Sequence, residues 1–135
     1  MVTNAEMFIA ELQAKDIKFM TREIDNGGVV VSIMFNYILT NVIFEGHDDG
    51  KHVAFRTQLE KCPEEKTIDV MAVLNSLNEQ YRWEKFYIST EGDIRVEDDA
   101  IVTPETAGEE CFELLLRTVS IIKDVKPMIM KVMYA

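Results

Sequence analysis

The residues best suited by type to do chemistry gather in one short stretch, Gly46-His47-Asp48-Asp49-Gly50-Lys51-His52. Two imidazoles beside two carboxylates form a donor set that zinc or manganese accepts. The stretch is also the nearest approach to a phosphate loop. It is one residue short between its glycines, it has His52 where a magnesium-binding hydroxyl belongs, and its adjacent acids would repel phosphate. A turn between two strands fits it better. His47 and His52 can meet only if that turn reverses the chain between them. A metal-binding sensor or metal-dependent enzyme using this hairpin is therefore the alternative function. Nucleophilic catalysis finds no motif. None of Ser32, Ser76, Ser89 and Ser120 lies in a Gly-x-Ser-x-Gly elbow. Cys111 follows Glu109-Glu110, whose charges oppose the thiolate and favour a buried structural thiol. No catalytic residue, metal ligand or cofactor is assigned, and the leading expectation is a non-enzymatic chain.

The charge balance narrows the partners. The chain has 135 residues, with 14 basic against 24 acidic side chains and a formal net charge of -10. Phosphate binding needs clustered Lys and Arg, so nucleic acid is disfavoured, as is docking on anionic lipid. The acidity is concentrated. Residues 91–113 hold nine acids against Arg95 alone, a net -8, whereas residues 114–135 are net +3. Glu105, Glu109 and Glu110 fall at the start of a helix and Lys123 and Lys126 near its end, a polarity that suits the helix dipole. The remaining acidity is either a solvated surface or a docking site for a basic partner. No basic or apolar leader pattern opens the sequence, and Cys62 and Cys111 match no metal spacing, so two reduced thiols in the cytoplasm are expected.

These residues must be positioned by elements that the hydrophobic periodicity outlines. Thr3 and Glu6 have capping-box spacing before a short amphipathic helix reaching about Lys15. Thr67 precedes the stripe Ile68, Met71, Leu74, Leu77 and Tyr81, and Thr103-Pro104 places a cap before a proline ahead of a third helix through Ile122. Between them, period-two segments flank three turn signals: Lys18–Ile24 and Val29–Phe35 around Asp25-Asn26-Gly27-Gly28, Val42–Gly46 and His52–Leu59 around residues 47–51, and Lys85–Thr90 and Ile94–Ala100 around Glu91-Gly92-Asp93. The uncharged run Asn26–Phe44 is long enough to suggest a membrane span, but its Asn, Gly and β-branched content fits buried strands better. The expected fold is one α+β domain over 1–135, an antiparallel sheet with helices packed against it in the order α-β-β-β-β-α-β-β-α, with a short tail after Pro127.

The third helix is apolar on two sides, since Phe112, Leu116 and Val119 lie off the stripe of Cys111, Leu114, Leu115 and Ile122. With Met128, Met130 and Met133 of the tail, Phe112, Leu116 and Val119 form the candidate partner surface, against the alternative of simple packing.

Val73-Leu74-Asn75-Ser76-Leu77-Asn78 followed by Lys85-Phe86-Tyr87-Ile88 resembles the YbjN domain family, as do Gly92-Asp93-Ile94-Arg95-Val96-Glu97 and Leu114-Leu115-Leu116-Arg117. The resemblance spans residues 4–134 and is carried by the part from Thr67 onward. It implies a fold similar to the type III secretion chaperones, which are small, acidic, usually dimeric proteins that bind extended client segments. It also implies a protein-binding or regulatory module, a homodimer, with no catalytic residues to transfer. Asn75 and Asn78 match the family pattern and are expected to act as hydrogen-bonding supports inside the fold.

Overall fold

The computed structural model describes residues 2–135; Met1, part of the expected 1–135 unit, lies outside the described residues. Helices and strands follow the expected order: α1 (Thr3–Ala14), β1 (Met20–Glu23), β2 (Val29–Phe35), β3 (Ile38–Phe44), β4 (His52–Lys61), α2 (Thr67–Gln80), β5 (Lys85–Ile88), β6 (Asp93–Ile101) and α3 (Ala107–Met133). The six strands form one antiparallel sheet in the order β1-β2-β3-β4-β6-β5.

Turn chemistry sets the register. Asn26 and Gly27 take positive φ (59° and 79°) in the turn before β2, as do Asp49 and Gly50 (59° and 74°) before β4 and Gly92 (90°) before β6. A further hairpin is absent from the sequence expectation. Asn36 and Tyr37, at φ of 51° and 66°, make a two-residue turn that pairs Phe35 with Ile38. Such a turn needs positive φ at both central residues, and tyrosine is an uncommon choice there. β3 consequently begins at Ile38 rather than at Val42.

The three threonines do not cap as expected. Val2 is the residue before α1 and gives no side-chain cap, while Thr3 lies inside the helix. The Thr67 hydroxyl donates to the Glu64 carbonyl, and Thr103 closes a turn whose carbonyl accepts from the Thr106 and Ala107 amides. Serine and threonine bond local backbone equally well in turns and in caps, which explains how the same signal marked neighbouring turns. α3 also runs past the expected end, through Pro127 to Met133. Pro127 is exposed, so the Lys123 carbonyl that loses its intrahelical partner faces solvent and can be hydrated.

All three helices cover the same face of the sheet. Alternation puts Val31, Val42, Phe55 and Asp98 in one inward row and Ile33, Thr40, Thr57, Val96 and Phe86 in the next. The opposite face carries cross-strand ion pairs, among them Arg56–Asp99 at 2.9 Å and Arg56–Glu97 at 3.4 Å. The covered face holds two separate apolar clusters. Phe8 and Leu12 of α1 pack with Val31, Phe44, Phe55 and Leu115 in the first. Val70 and Leu74 of α2 pack with Phe86, Ile94, Ile122 and Ile129 in the second. α3 spans both.

Candidate partner-binding groove

Two of the depressions along α3 carry opposite charge. The larger, about 750 Å3, lies between the end of α1, the first half of α3 and the last residues of β6. Trp83, Ala100, Phe112, Leu114 and Leu116 give it apolar walls. Glu11, Glu109, Glu110 and Glu113 make its rim acidic. Its two cations are already engaged: Lys15 lies 2.9 Å from Glu11, and Arg117 lies 2.9 Å from Glu113. Glu109 and Glu110 have no ion pair among the described residues. The smaller depression, about 320 Å3, lies between the β2–β3 turn and the second half of α3, where Lys123 and Lys126 stand beside Phe35, Ile38, Val119 and Met130.

The larger groove opens where strand pairing runs out. β5 pairs with β6 only as far as Lys85 opposite Glu97. Trp83, with φ of 83°, turns the incoming chain away from the sheet. Phe86 spends its backbone N–H and C=O on the Asn78 side chain, at 2.8 and 2.9 Å, rather than on β6. Alternation then directs the β6 bonds toward β5 from its odd-numbered residues, consistent with the Ser89 amide donating to the Asp93 carbonyl. By the same alternation Asp99 and Ile101 turn their N–H and C=O groups outward, beyond the reach of β5. The groove thus combines apolar walls, an acidic rim and a short unpaired strand edge. Trp83 is 58% exposed at one wall.

Behind this groove lies a buried polar cluster between the two apolar cores. Glu84 and Asp98 are each 6% exposed, and the Thr118 Oγ1 sits 2.9 Å from Glu84 Oε1 and 3.2 Å from Asp98 Oδ2. Burial pushes both carboxyls above the usual range, and for Asp98, to about 9, the neighbouring Glu84 charge adds to it. Glu84 and Asp98 accordingly do not carry their full formal charge between them at pH 7. Burial likewise pushes the Cys111 thiol up to about 12, with Glu110 adding to it, so this cysteine is a packed thiol and no nucleophile. Cys62 and Cys111 are unpaired and sit in different cores.

The expected surface residues separate into four groups. Phe112 and Leu116 line the acidic groove, and Val119 and Met130 line the smaller basic one. Met128 is 44% exposed on its own. Met133 does not belong to a surface: the extended α3 turns it into the second core at 3% exposure. The structure adds Trp83, which a single exposed aromatic between Arg82 and Glu84 could have signalled. Asn78, itself exposed, plays a supporting role by sealing β5, whereas Asn75 is exposed and does not act as a support inside the fold.

The histidine hairpin does not assemble a metal site. His47 Nδ1 faces Glu45 at 3.7 Å, whereas His52 Nε2 reaches Asp99 at 3.2 Å. Asp48 is turned to accept from the His52 backbone N–H at 3.0 Å. No group of three or more His, Cys, Asp or Glu residues converges on a metal position among the described residues.

A family model described as "YbjN: Putative bacterial sensory transduction regulator" matches residues 4–127. No curated protein matches the chain. Among solved structures, YbjN from E. coli, described as "a putative transcription regulator", superposes with a TM-score of 0.63 at 13% identity over 89% of each chain. The Yersinia pestis type III secretion chaperone SycH, solved with a fragment of YscM2, gives 0.51 at 4% identity over 87% of this chain and 98% of its own. SchA, solved as a chaperone–effector complex with HopA1, gives 0.52 at 12% over 87% and 91%. The fold is therefore that of YbjN and the type III secretion chaperones.

Proposed function

The chain belongs to the YbjN family, and from that premise we propose that it is a non-enzymatic module that binds an extended segment of a protein partner. The groove along β6 carries this proposal. Its apolar walls would take alternate side chains of the segment, and the outward N–H and C=O groups of Asp99 and Ile101 would pair with its backbone, as a strand added to a sheet edge. The acidic rim selects a segment bearing Lys or Arg beside its apolar residues, because like-charged partners are repelled there. Trp83 is the natural anchor, since tryptophan is enriched among residues that dominate binding energy. Chaperone-like or regulatory roles both follow from such binding. The buried, unpaired thiols fit a reducing cytoplasm, and no helix among the described residues is long and apolar enough to cross a membrane. The exposed Met20, Met34, Tyr37 and Leu39 at one end of the open sheet face support self-association as a homodimer.

The test uses two synthetic peptides with the same alternating apolar residues, one interleaved with lysine and one with glutamate. Trp83 fluorescence and amide exchange at Asp99 and Ile101 report binding. The lysine peptide should bind, weaken with salt, protect both amides and lose most of its affinity against Glu109→Lys/Glu110→Lys. Equal binding of both peptides, no binding of either, or indifference to the charge reversal would overturn the proposal. Sedimentation of the same samples should give two chains per particle.

A further inference from the structure

The buried cluster behind the groove joins the three elements that form it. Glu84 directly follows the wall residue Trp83. Asp98 directly precedes Asp99 and Ala100 of the open edge. Thr118 lies one residue beyond Arg117 and one turn beyond Leu114. The hydrogen-bond arithmetic of this cluster is short of protons. The Thr118 hydroxyl is within 3.2 Å of three oxygens, Glu84 Oε1, Asp98 Oδ2 and the Leu114 carbonyl, and has one hydrogen to give. Glu84 Oε2 and Asp98 Oδ1 are also buried with no hydrogen-bond donor among the described residues. No cation compensates among the described residues. From β4, Phe55 lies opposite Asp98, and from α3 the cluster receives only the Thr118 hydroxyl. Arg117 on α3 is paired with Glu113, and Asp99 on β6 is held by Arg56 and His52 on the far face. Of Asp98, Arg56 reaches the backbone carbonyl and not the carboxyl. Two carboxylates cannot both be ionised in such a place, so the cluster keeps its geometry only with protons on it.

We propose that Glu84, Asp98 and Thr118 form a proton-held latch that fixes Trp83 against the groove, so that deprotonation releases Glu84 toward solvent and moves the groove wall with it. Glu84 is the member free to leave, because it lies outside β5 in the turn after α2, whereas Asp98 is inside β6. Burial raises both carboxyls, Asp98 to about 9, which accords with a transition above neutral pH. The proposal takes its biological meaning from the docking groove, but its test needs no partner, so either can fail without the other.

Trp83 is the sole tryptophan of the chain, so its emission reads the latch directly. Emission and far-UV circular dichroism are followed from neutral to alkaline pH in the wild-type protein, Glu84→Gln and Asp98→Asn. The wild type should show a shift in Trp83 emission with unchanged secondary structure. Both amide variants should lack that shift, retaining only the higher-pH quenching caused by tyrosine ionisation. An identical transition in all three proteins, or a wild type with no transition below tyrosine ionisation, would overturn the proposal. Should the variants fail to fold, carbon-13 NMR of the wild-type side-chain carboxyls decides. At least one must remain protonated at pH 7, and titration of every carboxyl in the ordinary acid range would dismiss the latch.

Discussion

The two apolar cores share one sheet face and one helix, yet they are closed by different means. The first lies over β2, β3 and β4, where long strands pair along most of their length and the aromatic pair Phe8–Phe44 fills the centre. The second lies against β5, a strand of only four residues, and side chains do what pairing does elsewhere. The Asn78 amide stands in for a neighbouring strand at Phe86, and the Thr118 hydroxyl bridges two buried acids at the seam. A sheet that runs out of partners needs polar side chains to finish it, and the point where it runs out is also where the groove opens.

The hardest way to break this comparison is to hollow out one core and watch the other. Leu115→Ala in the first and Ile129→Ala in the second should each cost about 2–5 kcal/mol, as buried leucine and isoleucine truncations do. Because α3 spans both cores, denaturant unfolding followed by Trp83 fluorescence and by circular dichroism should give one coincident transition in each variant. Separated transitions would mean that the cores fold as two units. A smaller effect tests the side-chain closure itself. Asn78→Ala leaves the Phe86 N–H and C=O without partners and should cost about 1–3 kcal/mol, with faster exchange of the Phe86 amide. Asn41→Ala removes a side-chain bond to Ser32 from the fully paired part of the sheet and should stay within about 1 kcal/mol. Equal losses would erase the difference between the two halves.

A third effect is graded by pH. Glu84 and Asp98 are raised in the folded protein, so the folded state holds protons that the unfolded chain releases. Their stabilisation is complete below the unfolded acid range, about pH 4, and is lost as pH rises through the folded values. Each retained proton contributes a slope of about 1.4 kcal/mol per pH unit across that window. Asp98→Asn removes one such proton, so the variant should gain on the wild type steadily as pH rises, measured by urea midpoints. A constant difference across the window would show that the acid is not protonated.

The contrast between the halves also explains what could be read from the residues alone. Element order followed from periodicity, because Val29–Phe35 and the Leu74–Leu77 stripe bury their apolar sides as such patterns normally do. The threonine caps and the end of α3 did not, since a hydroxyl serves turn or cap equally and a solvent-facing proline is tolerated within a long helix. The Asn36–Tyr37 turn lacks the glycine that announces most two-residue turns. At the groove, Phe112 and Leu116 were legible from their place off the core stripe. Met133 was not, because the helix that buries it extends beyond the expected stop. Glu84 and Asp98 gave no hint of burial. Charged residues are solvated by default, and only the register that sets one carboxyl beside the other reveals the exception.

Trp83 occupies a position whose backbone, at φ of 83°, suits glycine far better than any residue with a side chain. Selection for folding alone would replace the bulkiest side chain in the chain with the smallest, and the fold would relax for it. On the proposed docking role, its exposed ring is what offsets that cost. If the proposed partner were lost, this is the position where drift would erase the evidence first, well before the cores recorded any change.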